Sequence, residues 1–368
     1  MIIKNGNIFR GDIGFVPGDL FIYEGRITDD EAKASSDGKI IDASDKYVIP
    51  GLVDIHSHGA VGHDFCDASV EGLKEILKYE KSIGVTSYCP TSMTLSKDML
   101  LDIFKTAADI TPEPSYASIA GINMEGPFIS DSKKGAQNGK YISKPDIALF
   151  SECNKASNGL IKLITLAPEE EGALEFIEAC KDKVTISVGH TAATFDESDK
   201  TFKAGACHVT HLCNGMPPFN HREPGVFGAA VENPNVVVEL ICDGIHIHPA
   251  MIRTIFKLFS SKRVAIISDS MEATGMPDGD YELGKQHVIK KGSLATLEDG
   301  TIAGSATNLF DGLKHAIEFG IPVEDAIRSA TETPAKSIGI YPEVGSLQVG
   351  AKADVLIINE QFELIQVI

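Results

Sequence analysis

The sequence predicts an α/β protein: a (β/α)8 TIM-like barrel with a small β-sandwich domain built from both termini. Three observations predict it. Between residues 51 and 344, short apolar runs rich in β-branched residues alternate with helical patterns. The runs are near-continuously apolar, the mark of parallel strands buried on both faces. Metal-ligating or acid/base residues recur directly after the runs, as in a barrel whose strands aim their C-terminal ends at one site.

The elements follow in order. In residues 1–50, Asn5-Gly6 and Glu24-Gly25 read as turns, with residues 20–23 as one β-rich piece between them. Residues 345–368 have the same character, with a strand predicted over 353–358. Neither end can bury a core alone, so the two are expected to pair into one domain, 1–50 plus 345–368. The barrel then takes 51–344. Its strands are predicted at 48–55, 85–89, 118–124, 161–166, 184–188, 208–211, 236–241 and 264–267. Helices are expected at 69–83, 97–108, 170–180, 196–204 and 249–259. A hairpin over 287–297, turning at Asp299-Gly300, precedes helical stretches at 305–320 and 322–329. The competing architecture is a doubly wound open sheet. No G-x-G-x-x-G follows the first strand and no P-loop occurs, so its nucleotide-binding form loses support.

Composition narrows the function. A net charge of −19 argues against a nucleic-acid partner, which calls for a basic face. The seven cysteines are odd in number and form no C-x-x-C pair, so they read as reduced thiols of a cytoplasmic protein. The N-terminus has no signal-peptide core, and no apolar run reaches the roughly 18 residues of a membrane span, so no membrane role is expected.

Six clusters carry the chemistry: His56-Ser57-His58, Glu125, His190, His211, His246 and Asp269. His56 and His58, two apart on a strand, share a face and can reach one point. Alone, such a pair is as readily core or solvent-facing histidine. Asp54 shares their parity and could orient one of them. Glu125, before the chain-turning Gly126-Pro127, is in isolation an ordinary loop acid. With His190 and His211 it makes a three-ligand set that leaves positions open for water and substrate, as at catalytic zinc sites. Asp269 is placed to act as a general base, its bland alternative being a helix cap. Asn214, Gly215, Arg222 and Asp243 to His246 read as substrate contacts. His208 is expected to face the other side of its strand, as a structural residue. His63, His221, His248, His287 and His315 take the bland reading.

The segments Pro50 to His58, Asn123 to Pro127, Val188 to Thr191, Thr210 to Met216, Arg222 to Gly225, Asp243 to His246 and Ser268-Asp269 carry a resemblance that runs nearly end to end. The chain resembles the amidohydrolase superfamily, and within it the N-acetylglucosamine-6-phosphate deacetylases. H-x-H marks the superfamily; the Glu-Gly-Pro and Thr-His-Leu-x-Asn segments are more specific. The resemblance implies hydrolysis of the N-acetyl group of the amino-sugar phosphate, in amino-sugar catabolism or recycling. It implies Glu125, His190 and His211 as principal metal ligands, His56 and His58 as ligands of a second metal, and Asp269 as base and then acid. His246 would stabilise the oxyanion. Substrate contacts would come from Ala136, Gln137, Asn214, Gly215, Arg222, Asp243, Gly244, Ile245, His246, Ile302, Ala303 and Gly304, with Arg222 as phosphate clamp. Gln137 stands where many members carry His, and Gly215 where Ala is more usual. One or two divalent metals per subunit are implied, Zn²⁺ first, with Fe²⁺, Mn²⁺ or Co²⁺ as alternatives. A homodimer is implied as well. The rival readings are another amidohydrolase, dihydroorotase-like or deaminase-like, and a non-catalytic scaffold of the same descent.

Overall fold

The computed structural model describes residues 1–368, the side chain of Asp37 excepted. Eight parallel strands form the barrel: Leu52–Ser57, Val85–Ser92, Ile122–Glu125, Ile161–Leu166, Thr185–Val188, His208–Val209, Val237–Ile241 and Val264–Ile267. They pair in chain order. The ring closes where Ser57 bridges Ser270 in parallel and the Asp269 N–H donates to the His56 carbonyl at 2.9 Å. Helices cover the outside because their apolar stripes pack on the strands. In Val70–Ser82, for example, Leu73, Ile76 and Leu77 are buried, and the Ser69 hydroxyl caps the first turn.

A second sheet joins the two termini. Its order is Leu364–Val367, Val355–Ile358, Tyr47–Pro50, Ile2–Phe9, Phe15–Tyr23 and Arg26–Thr28, with Ile40–Asp42 also paired to Ile2–Phe9. It has its own core of Ile3, Ile8, Leu20, Ile22, Val48, Val355 and Ile357. The fold class expected from the sequence is therefore borne out.

Several local expectations are corrected. The predicted first strand, 48–55, is two strands. Pro50 has no N–H to offer. Just beyond it the hydrogen bonds change partner: Gly51 N–H goes to Asp354 in the terminal sheet, Leu52 N–H to Gly84 in the barrel. Asn5-Gly6 is a bulge inside a strand, with Asn5 at φ 61°, not a turn. Four helices lie outside the predicted stretches, two of them the short Glu31–Ala34 and Glu332–Ser337. Ile147–Ala156 buries only Phe150 and Cys153, so its apolar period is faint. Gly225–Glu232 is buried nearly all round and has no polar face to set a period.

The expected hairpin is a three-stranded meander, Gly279–Leu283, Gln286–Lys291 and Leu294–Thr296. Its first turn is Gly284-Lys285, both at positive φ, as a tight hairpin turn requires. Asp299-Gly300 turns the chain only far enough to bridge Thr296 to Ile302. No helix among the described residues is long and apolar enough to cross a membrane.

Candidate active site

The strand ends turn inward by a shared device. His190, His211 and Asp269 each lie two residues past a strand and have φ of 47°, 29° and 49°. Left-handed backbone at a non-glycine residue costs of order 1–3 kcal/mol and persists only where the surroundings impose it. Here it folds each side chain back over the barrel mouth. Glu125 is the last residue of the third strand, and Gly126 follows at φ 78°. A Cβ on Gly126 would lie 2.2 Å from Thr94 Oγ1, so the chain can leave the Glu125 carboxylate over the mouth only with glycine there.

The side chains converge. Glu125 Oε1 is 3.1 Å from His190 Nε2 and 3.0 Å from His211 Nε2, and the two Nε2 atoms are 3.1 Å apart. His56 Nε2 lies 3.5 Å from Glu125 Oε1, and His58 Nε2 lies 3.4 Å from Glu125 Oε2. Asp269 Oδ1 is 3.3 Å from His58 Nε2 and 3.5 Å from His56 Nε2. All of these residues are buried. Glu125 belongs to two candidate ligand groups, one with His190 and His211, the other with His56 and His58.

The opposite ring nitrogens decide what fits between them. His190 Nδ1 faces the Lys133 carbonyl at 2.9 Å, His211 Nδ1 that of Asn214 at 3.2 Å, and His58 Nδ1 that of Thr91 at 3.2 Å. His56 Nδ1 faces Glu239 Oε2 at 2.9 Å. Each partner only accepts, so each Nδ1 carries a proton, and a ring that gives up its Nε2 proton to a cation turns a lone pair inward. Buried lone pairs this close to one another and to a carboxylate lack a donor. A divalent cation supplies what they lack, and the residue set fits one.

Burial alone would raise the Glu125 carboxyl, but with no cation between them the histidines around it are protonated and hold it well below the usual range. Asp269 is likewise lowered, burial being outweighed by His58, His56 and His211. It therefore stays ionised, as a base must. Burial pushes His246 down, but Asp243 Oδ2, 2.6 Å from its Nδ1, more than reverses this and leaves its basicity raised. Its Nδ1 engaged, His246 offers Nε2 to the mouth.

A cavity of about 310 Å³ sits over these groups. Of the expected substrate contacts, Ala136, Gln137, Asn214, Gly215, His246, Ile302 and Gly304 line it. Asp243 stands behind His246. Gly244, Ile245 and the buried Ala303 do not face the cavity. Arg222 is exposed on the rim loop and is also outside the lining.

Gln137 departs most from expectation. It is buried, donates to Glu125 Oε2 at 2.7 Å and accepts the Thr94 N–H at 2.6 Å, so it braces a ligand. Asp54 does not touch an imidazole; it accepts the backbone N–H groups of His56 and Ser268. Met93 and Leu283, absent from the expected set, form an apolar wall. Glu239 was also missed. A lone acid inside Val237–Ile241 gives no spacing signal, although a charge in an apolar parallel strand needs a buried partner. His208 does not face outward; it bonds Glu239 inside the barrel at 3.2 Å.

A sequence profile of the Amidohydrolase family matches residues 47–368. The chain belongs to the amidohydrolase family. This amidohydrolase is 37% identical to the N-acetylglucosamine-6-phosphate deacetylase of Bacillus subtilis (strain 168), over 99% of this chain and 93% of that protein. It is 32% identical to the N-acetylgalactosamine-6-phosphate deacetylase of Escherichia coli O157:H7, over 86% of this chain and 85% of that one. Among solved structures, it matches the N-acetyl-D-glucosamine-6-phosphate deacetylase of Mycobacterium smegmatis in complex with N-acetyl-D-glucosamine-6-phosphate. That match has a TM-score of 0.92 and 30% identity, and covers 100% of this chain and 97% of that one. The Thermotoga maritima N-acetylglucosamine-6-phosphate deacetylase matches with a TM-score of 0.90 at 31% identity, covering 100% and 98%.

Proposed function

We propose that this chain is a metal-dependent hydrolase that removes the N-acetyl group of N-acetyl-D-glucosamine 6-phosphate, giving D-glucosamine 6-phosphate and acetate. The observation that carries the reading is the convergence of four inward-facing imidazole nitrogens and two carboxylates at one barrel mouth, on a chain 37% identical end to end to a deacetylase of that substrate. Glu125, His190 and His211 would hold one cation, and His56 and His58 a second that shares Glu125. Zn²⁺ is the proposed metal, since imidazole and carboxylate suit it. When bound, the metal acts as a Lewis acid that makes a water acidic near neutral pH and polarises the acetyl carbonyl.

The chain's own groups do the rest. Asp269 takes the proton of the attacking water and returns it to the departing amine. His246, braced by Asp243, donates to the oxygen that gains charge in the transition state. The water oxygen first bonds to the acetyl carbon; the C–N bond then breaks as the amine receives the proton from Asp269, so acetate and amine leave. Asn214, Gly215, Ile302 and Gly304 contact the sugar. Arg222, at the rim, takes the phosphate, for which a guanidinium is suited. We further propose a cytoplasmic homodimer, with residues 1–50 and 345–368 as one domain and 51–344 as the catalytic one.

The test is acetate release from N-acetylglucosamine 6-phosphate, from its unphosphorylated form and from N-acetylgalactosamine 6-phosphate. Turnover of the first, with at least a hundredfold loss on the second, is expected. No release from any of them overturns the reading, and preference for the galactosamine compound reassigns the sugar.

A further inference from the structure

Four histidines face the mouth, and they are not equivalent. His58, His190 and His211 rest their outer nitrogens on neutral backbone carbonyls. His56 alone rests on a carboxylate, Glu239, at 2.9 Å. Glu239 is fully buried in the seventh barrel strand and has no solvent to share its charge with. Its oxygens are occupied: Oε2 also accepts the His211 N–H at 3.0 Å, and Oε1 faces His208 Nε2 at 3.2 Å. His56 Nε2, on the inner side, is buried with no hydrogen-bond partner. A carboxylate behind an imidazole fixes its tautomer and makes the inner nitrogen a stronger donor to a cation.

We infer that Glu239 is a positioning residue that commits His56 to ligating the cation proposed at His56, His58 and Glu125. The inference rests on the metal-dependent reading above. It goes beyond that reading by giving Glu239, which touches neither cation site directly, a part in holding the second ion.

The experiment strips the full chain with chelator, reloads it with Zn²⁺ and counts metal per chain by mass spectrometry, with calorimetric titration for affinity. Wild type is expected to take two ions. Glu239→Gln keeps the shape but removes the charge. It is expected to retain the first ion and to bind the second 10- to 100-fold more weakly, the range seen when such partners are lost. His208→Gln removes the other partner of Glu239. It should keep both ions, whatever it does to thermal stability. One ion in wild type overturns the inference. So does a Glu239→Gln chain that binds two ions with unchanged affinity or loses both, or a His208→Gln chain that loses the second ion equally. The counts are read without substrate, so failure of the deacetylase assay and failure of this inference are separate results.

Discussion

Asp269 has two properties that rarely coincide: it is buried, and it is held ionised by histidines within 3.5 Å. Its left-handed backbone aims the carboxylate where a base must stand. General acid–base groups contribute roughly 10²–10⁴-fold to rate. Asp269→Asn should therefore lower kcat by a factor in that range with the metal count unchanged, since the amide fills the same space. Turnover within a few fold of wild type, measured as acetate release, would remove Asp269 from the mechanism. The residue types were legible from sequence because each follows a strand-like run. The braces behind them were not. Glu239 and Gln137 act through atoms that meet only when strands distant in sequence lie side by side, and a lone Glu or Gln has no period to betray it.

At the scale of elements, the helix Val70–Ser82 carries an anomaly on its buried face. Glu80 is fully buried, neither of its oxygens has a hydrogen-bond partner, and burial together with nearby Asp54 raises its carboxyl well above the usual range. A carboxyl with a raised folded-state pKa binds its proton more tightly folded than unfolded. Its contribution is therefore intact below the unfolded value of about 4.3 and is lost as pH rises through the folded one. Glu80→Gln cannot ionise, so it should melt above wild type at pH 8, and the difference should shrink toward pH 4. A pH series of melting temperatures showing no such trend would contradict the assignment. The meander offers a second case. Its first turn is pinned by the Gly284 N–H to buried Asp64 at 2.8 Å, by the Lys285–Asp67 ion pair and by Gln286 to the Ala136 carbonyl. A Cβ on Gly284, at φ 55°, would sit 2.8 Å from Met93 Cγ in the cavity wall. Gly284→Ala should cost about 1–3 kcal/mol from overpacking and strain. It should also raise KM more than it lowers kcat, since the wall moves and the base does not. Denaturant unfolding and steady-state kinetics check the two parts. The sequence showed that strands lay here but placed the turn at Asp299-Gly300, because that dipeptide is the stronger local signal and the Gly284-Lys285 turn is fixed by contacts with the barrel loops.

The whole molecule explains why the fold was readable when parts of the site were not. Parallel strands buried on both faces must be apolar throughout, and their helices must carry a stripe, so the barrel is encoded locally in nearly every segment. The terminal sheet was legible by a weaker argument, that neither end could bury a core alone, and its core does draw on both termini. The barrel mouth is where this consistency is broken. Three residues there are in left-handed backbone, and inward lone pairs and carboxylates crowd within 3.5 Å of one another. Such an arrangement is destabilising by itself, and a cation relieves it. Stabilisation by a ligand that binds only the folded chain is RT ln(1 + [L]/Kd), about 2.7 kcal/mol at a hundredfold excess over Kd. Removing the metal should accordingly lower the melting temperature by several degrees, and titrating Zn²⁺ back should raise it with the logarithm of concentration. The same titration on a chain carrying both His190→Ala and His56→Ala should be flat. A wild-type melting temperature indifferent to chelator and to added Zn²⁺ would mean that the crowded mouth is stable without an ion, and the metal-dependent reading of the barrel would fall with it.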